Sequence, residues 1–161
     1  YKNCVISFSL QDILSRPATE FVNDHSLELL WAEKAYEHAE VYFNILCSVD
    51  PRLLNLTPHD DVIYRTFRKE FPDFDVSYVN EDELKSTAEK AKWRVFIEKF
   101  NKLENFSYGT LLRPRSSEEF SADNAILVVR IQFLAIEIAR NREGHNDRWR
   151  KRPNPLKKNQ S

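Results

Sequence analysis

The chain has 161 residues, 42% of them hydrophobic and 30% charged, with a net charge of −1. This balance points to one folded domain with a hydrophobic core and disfavours intrinsic disorder. Gly109 and Gly144 are the only glycines, so neither a P-loop nor a dinucleotide fingerprint can be written, and enzymes built on nucleotide or methyl-donor Rossmann folds are disfavoured.

The N-terminal arm, residues 1–22, has mixed character. Val5, Phe8, Leu10, Ile13 and Leu14 can pack as a short helix before Pro17, and a leader or flexible arm fits equally. The chain has no Met, so Tyr1 is expected to follow trimming or to open a fragment. A first long helix is predicted from about Ser26 to Ser48, capped by Asp24 or Ser26 and stopped by Asp50-Pro51. Its apolar stripe is read as Leu27, Leu30, Trp31, Lys34, Ala35, His38, Val41, Tyr42 and Ile45.

Thr57-Pro58-His59-Asp60 opens a second helix, with Thr57 as cap and Pro72 beyond its end; Val62, Ile63, Phe67 and Phe71 are its predicted buried face. Phe74, Val76 and Tyr78 alternate with polar residues, as in a short strand or extended connector. Asn80 caps a third helix running to about Leu103. Its predicted apolar face is Leu84, Ala88, Ala91, Val95, Phe96 and Phe100, with Trp93 at the edge. Residues 106–112 read as a short extended piece that can pair with residues 74–79. Arg113 to Glu119 reads as a polar loop.

Residues 125–144 hold the longest apolar run. They are read as the core helix, capped by Ser121 with Asn124 and stopped by Gly144 in the left-handed conformation. The run is too short and too charged to span a membrane. Residues 147–161 read as a basic disordered tail. From Arg148 onward it carries +6, which leaves −7 on residues 1–147 because the whole chain sums to −1. The expected fold class is mainly α: four to five helices around a central apolar helix, with at most a small two-stranded β element. An acidic body disfavours nucleic-acid binding except through the tail, where Arg148-Trp149-Arg150-Lys151-Arg152 reads as an import or RNA-contacting patch or as a solubilising tail.

The catalytic inventory is thin. No histidine lies in a metal or nucleophile motif, and Glu33, Glu37, His38 and Glu40 read as a solvated acidic face because Ala35, not Glu, stands three before His38. Cys4 and Cys47 match no metal spacing and favour a reducing compartment, with Cys47 as a core thiol. The Asn55 and Asn105 sequons carry no weight without a secretory signal. No cofactor is expected.

Polar residues interrupting the central helix carry more information. Arg130, Gln132, Glu137, Arg140, Asn141, Arg142 and Glu143 are the candidate site residues. Charges are seldom buried unpaired, so Glu137 either locks the packing through Arg130, Arg140 or a neighbouring loop, or marks a groove that meets a partner.

Several segments together resemble the polysaccharide-biosynthesis-domain-containing protein 1 family. They include Trp31-Ala32, His38-Ala39-Glu40-Val41-Tyr42, Ser48-Val49-Asp50-Pro51 and Asp82-Glu83-Leu84-Lys85-Ser86. Tyr108-Gly109-Thr110-Leu111-Leu112-Arg113 and Ile138-Ala139-Arg140-Asn141-Arg142-Glu143-Gly144 are the most specific. Their order holds from about residue 23 to 146, the extent of the expected domain. The resemblance implies a helical cytoplasmic domain, with a nuclear presence left open by the tail. It also implies a chaperone that binds the GTP-binding domain of newly made elongation factor 1-alpha at the ribosome. A monomer without a membrane partner is expected. The contrasting expectations are an enzyme of polysaccharide biosynthesis and an RNA-associated factor working through the tail. The resemblance brings no catalytic residues.

Overall fold

The structure, a computed structural model, describes residues 25–151, with side chains described over 28–150. The N-terminal arm, Cys4, the Asp24 cap, the Ser26 and Leu27 side chains and the tail beyond residue 151 lie outside what is described; Ser26 itself is already helical and so does not hold the cap position.

Five α-helices and one two-stranded sheet make up the described fold, in line with the mainly α expectation. Helix α1 (His25–Ser48) is followed by a 3-10 turn (Pro51–Leu53), where Asp50 accepts a bond from the Arg52 N–H at 3.1 Å. The buried face of α1 is Ala35, Ala39, Phe43, Leu46 and Cys47, with Tyr42 partly buried, whereas Leu30 is 40% and Val41 54% exposed. The predicted stripe was therefore rotated. α1 carries apolar residues on more than one side, and hydropathy alone does not choose between the resulting stripes.

Helix α2 (Asp60–Glu70) starts two residues later than a Thr57 cap would place it, with His59 in the cap position. The buried Asp60 carboxylate gathers the Leu56 and Thr57 N–H groups, each at 2.8 Å, and the Thr57 hydroxyl at 2.9 Å. Ile63, Phe67 and Phe71 are buried as expected, but Val62 is exposed. The single helix expected over 80–103 is two: α3 (Glu81–Leu84) and α4 (Thr87–Lys99). Asn80 caps the first as predicted, accepting from Asp82 N and Glu83 N. Ser86 breaks the run by capping the second through the Glu89 N–H. The break turns the apolar face, so Trp93 is buried at 2% exposure while Ala88, Ala91 and Val95 face outward.

The largest correction concerns the central element. Its first residues form a strand. β1 (Gly109–Leu112) pairs antiparallel with β2 (Ile126–Val129), Gly109 opposite Val129 and Leu112 opposite Ile126. β2 alternates, with Ile126 and Val128 buried and Leu127 41% exposed, and period-two burial of a β-branched run favours a strand. Helix α5 (Arg130–Arg142) follows at once. Its unsatisfied first N–H groups find acceptors across the sheet end: Arg130 N donates to Tyr108 O at 2.7 Å and Ile131 N to Phe106 O at 3.0 Å. Residues 74–79 do not join the sheet. They run beside residues 114–116, with Val79 N bonded to Pro114 O and Ser116 N to Ser77 O. Asn124 does not cap the helix. It is 1% exposed and pins its own loop, trading bonds with the Arg115 N–H and carbonyl at 3.0 Å each.

Gly144 ends α5 at φ +87°, as predicted. The chain does not then become a tail: Asp147–Lys151 forms a 3-10 turn that seats Trp149, 1% exposed, against Phe43, Leu46 and Cys47. The main core lies between α2, α4, α5 and the sheet, around Phe67, Phe96, Ile131 and Ile136.

Candidate functional site

Three of the seven candidate residues meet in one buried network. Glu137, Arg140 and Asn141 are all 2% exposed or less. Glu137 Oε1 accepts from Arg140 Nη1 at 2.8 Å, and its Oε2 accepts from the Tyr42 hydroxyl at 2.8 Å and Asn146 Nδ2 at 3.0 Å. Arg140 spends its other donors on backbone: Nε on Val76 O at 2.6 Å, Nη1 also on Arg113 O at 2.6 Å, Nη2 on Pro114 O at 3.0 Å. Asn141 accepts from Asn146 at 2.6 Å and donates to Tyr42.

A second guanidinium completes the network. Arg113, expected at the head of a polar loop, is 4% exposed and lies 3.9 Å from Glu137. It donates to Ser116 O, Glu118 O and Asn146 Oδ1 and lies over the Phe43 and Trp149 rings, 5.2 and 5.6 Å from their centroids. Two cations thus face one carboxylate, and five backbone carbonyls and two aromatic faces take up the excess charge. Burial pushes the Glu137 carboxyl upward, but the Arg140 and Arg113 charges, with hydrogen bonds from Arg140 and Tyr42, outweigh it and hold the group below its ordinary range. Burial first, and then the Glu137 charge, hold the Tyr42 hydroxyl protonated well above its usual pKa. Desolvation pulls Arg113 down, opposed by Glu137.

The other four candidates do different work. Gln132 accepts the Val129 N–H at 3.0 Å and so caps α5. Arg142 pairs with Asp61 at 2.7 Å and lies over the Tyr64 ring, while Glu143 takes two guanidinium nitrogens of Arg68, the shortest contact at 2.6 Å. These pairs clip α5 to α2. Arg130 stands apart, half-buried and within the field of Glu104, and it lowers the pKa of His38 alongside burial. The expected single polar stripe is thus a cap, a buried lock and an outer clip.

Sequence reasoning missed Tyr42, Asn146 and Trp149 as members of this network. Tyr42 was read as apolar, and its hydroxyl gives no periodic signal. Both Asn146 and Trp149 lie past the helix: Asn146 at the last position of the expected domain, Trp149 in what was read as tail. Arg113 and Tyr42 had a signal only as the last residues of the family-like segments Tyr108–Arg113 and His38–Tyr42.

The network is closed: its donors and acceptors face one another and not a cleft. Open concavities lie elsewhere, and one of them joins an apolar floor to an acidic rim. A groove of about 500 Å³ runs between the C-terminus of α2, residues 71–80, α3 and the start of α4. Phe71, Phe74, Val79 and Leu84 form its floor, and Glu70, Asp73, Asp75, Glu83 and Glu89 contribute carboxylates against the single ammonium of Lys92.

The PBDC1 protein family profile matches residues 27–151, ending on the turn that carries Trp149. The human protein PBDC1 is 50% identical over 139 residues, covering 86% of this chain and 60% of its own length. A Schizosaccharomyces pombe PBDC1 homolog is 42% identical over 135 residues, covering 81% of this chain and 91% of its own. The chain therefore spans less than two thirds of its human relative and nearly all of the fission-yeast one. A solution NMR structure of a Saccharomyces cerevisiae protein superimposes with a TM-score of 0.75 at 39% identity, covering 86% of this chain and 98% of that one. No described helix is long and apolar enough to cross a membrane. With the profile matched from α1 through the Trp149 turn and close relatives from yeasts to human, the chain belongs to the PBDC1 family.

Proposed function

We propose that this protein is a non-enzymatic binding protein of the cytoplasm, a dedicated chaperone for newly synthesised elongation factor 1-alpha. In this reading it engages the client's GTP-binding domain as it leaves the ribosome. The family resemblance supplies the client. The observation that supports a binding role is how the polar residues of α5 are spent. Glu137, Arg140 and Asn141 direct their hydrogen bonds inward and fix four separate segments of chain. Such a lock makes a rigid scaffold, and a rigid scaffold lowers the ordering cost of binding.

The basic run beyond α5 supports an RNA-binding reading less well. Trp149 is core, Arg150 pairs with Asp50 at 3.2 Å, and Arg148 donates to Ser117 O. The test is cross-linking capture of pulse-labelled protein. Elongation factor 1-alpha should be enriched among newly made chains and not in the aged pool. Equal recovery from both pools, or none, would remove the chaperone assignment. A thermal shift with a methyl donor would instead favour a modifying enzyme.

A further inference from the structure

The groove described above has a composition that selects its occupant. Its floor is aromatic and aliphatic, with Phe71, Val79 and Leu84 nearly buried, while Pro72, Tyr78 and Ala88 expose apolar surface along its edge. Its rim is acidic. Two of the five carboxylates are already engaged by ammonium groups: Glu70 by Lys99, and Glu89 by Lys92 at 3.2 Å. Asp75 is tied to the Ser77 hydroxyl at 2.6 Å and to its N–H. Asp73 and Glu83 are exposed and form no ion pair among the described residues.

We propose that this groove is a docking site for an extended, partly unfolded polypeptide segment that carries lysine or arginine beside an aromatic or large aliphatic residue. The cationic side chain meets Asp73 and Glu83, and its apolar neighbour lies against Tyr78, Phe74 and Pro72. Such a segment is what a basic protein exposes before it folds, so the groove would read the unfolded state of a client by charge plus apolar surface. The acidic rim repels nucleic-acid phosphates, anionic lipid and the same face of a second copy. A volume of about 500 Å³ suits a few residues and not a folded domain. The site adds to the client-binding reading and rests on it for biological meaning, but it can be tested without that client.

The probe is a short fluorescein-labelled peptide of alternating lysine and phenylalanine, titrated by anisotropy with the full chain. A glutamate–phenylalanine peptide of the same length and pattern and a lysine–serine peptide serve as controls. The lysine–phenylalanine peptide should bind more tightly than both, and its affinity should fall with salt. The double substitution Asp73→Lys, Glu83→Lys should weaken it by roughly tenfold or more, and Tyr78→Ala should weaken it with less salt dependence. Glu98→Lys, on the outer face of α4, should leave it unchanged, and all variants should melt like the parent. Equal binding of the lysine–serine peptide, or binding indifferent to both groove variants, would overturn the proposal. So would a large gain in affinity on deleting residues 152–161, which would make the chain's own basic tail the occupant. Capture of elongation factor 1-alpha by the same variants separates the two readings. Undiminished capture with lost peptide binding sinks the groove as client site and spares the chaperone. Peptide binding without capture does the reverse.

Discussion

Helix α5 faces two environments that are both buried and are held by different physics. On one side, Phe67, Phe71, Phe74, Trp93 and Phe96 pack ring against ring, with Phe71 stacked on Trp93 at 4.4 Å between centroids. On the other, Glu137, Arg140, Arg113, Asn146 and Tyr42 satisfy one another and five carbonyls. The aromatic side is held by area, which is non-directional, and a ring there can shift and keep most of its contacts. The polar side is held by direction. Each donor has an assigned acceptor, and losing one leaves a charge in a medium that cannot solvate it. The polar side therefore fixes one arrangement of α1, the 74–79 segment, the 113–118 loop and the Trp149 turn, while the aromatic side supplies most of the burial.

The sharpest way to break this comparison is Glu137→Ala. It leaves the Arg113 and Arg140 guanidiniums buried without a counter-charge and removes the acceptor of the Tyr42 hydroxyl and one of the two acceptors of Asn146 Nδ2. The expected loss is about 3–5 kcal/mol, a large share of the roughly 5–15 kcal/mol that holds a domain together. Denaturant unfolding measures it. Unchanged stability would mean that the lock contributes nothing and that Glu137 is kept for another reason.

Acid does reversibly what alanine does permanently. The folded Glu137 pKa lies below that of the unfolded chain, so its contribution is full above the ordinary carboxylate range, near 4.3, and is lost as pH falls through the depressed folded value. Glu137→Gln already carries the neutral group. Its stability should fall less steeply than the parent's over that acid window, and the two curves should converge at the lowest pH. Parallel curves would place the acid sensitivity on other carboxylates. Tyr42 has the opposite sign. Its raised pKa means that stability is full below about 10 and is lost as pH rises towards the folded value.

The same contrast explains what was legible in the sequence. Apolar periodicity reports area, and it found Phe67, Phe96 and the mainly α class; the Gly144 stop was legible from glycine's backbone freedom instead. It could not find direction. β2 was absorbed into the core helix because a buried strand and a buried helix segment share a continuous apolar run. Only pairing with Gly109–Leu112 decides between them, and pairing is non-local. The long-range partners of Glu137 come from positions 42, 113 and 146, and periodicity marks none of them as polar core. Trp149 was hidden by its charged neighbours: a single aromatic among arginines reads as tail until the pocket formed by Phe43 and Leu46 is known. The polar stripe itself was visible, but not that it divides among a cap, a lock and a clip.

On the aromatic side the expected effects are smaller. Phe67→Leu keeps an apolar group at a fully buried site, and the surrounding rings can move into the lost volume. A loss of no more than about 1.5 kcal/mol is expected, where a true cavity would cost more. If this substitution cost as much as Glu137→Ala, the cluster would be as directional as the lock, and the distinction between the two faces would fail.

The smallest effect should come from Trp93→Phe, and it probes the same distinction from the other end. Trp93 is 2% exposed, and its Nε1–H is buried with no acceptor among the described residues. An indole in a directional site would have a partner, as Trp149 does in Ser116 O at 3.1 Å. Trp93 is held by apolar contact, stacked on Phe71 and Phe67 and edge-on to Phe74 and Phe96, so it bears the desolvation cost of a polar N–H, about 1–3 kcal/mol, with no bond in return. Phenylalanine forfeits part of the buried area and removes that cost. The two terms oppose each other and are of similar size, so stability should change by less than about 1 kcal/mol. The matched substitution Trp149→Phe loses both area and a bond, and it also thins the aromatic face beneath Arg113. It should cost clearly more, although the ring change is the same. Equal costs at the two positions would mean that the Trp93 N–H finds an acceptor in solution, which hydrogen-exchange protection of the two indole protons would reveal directly.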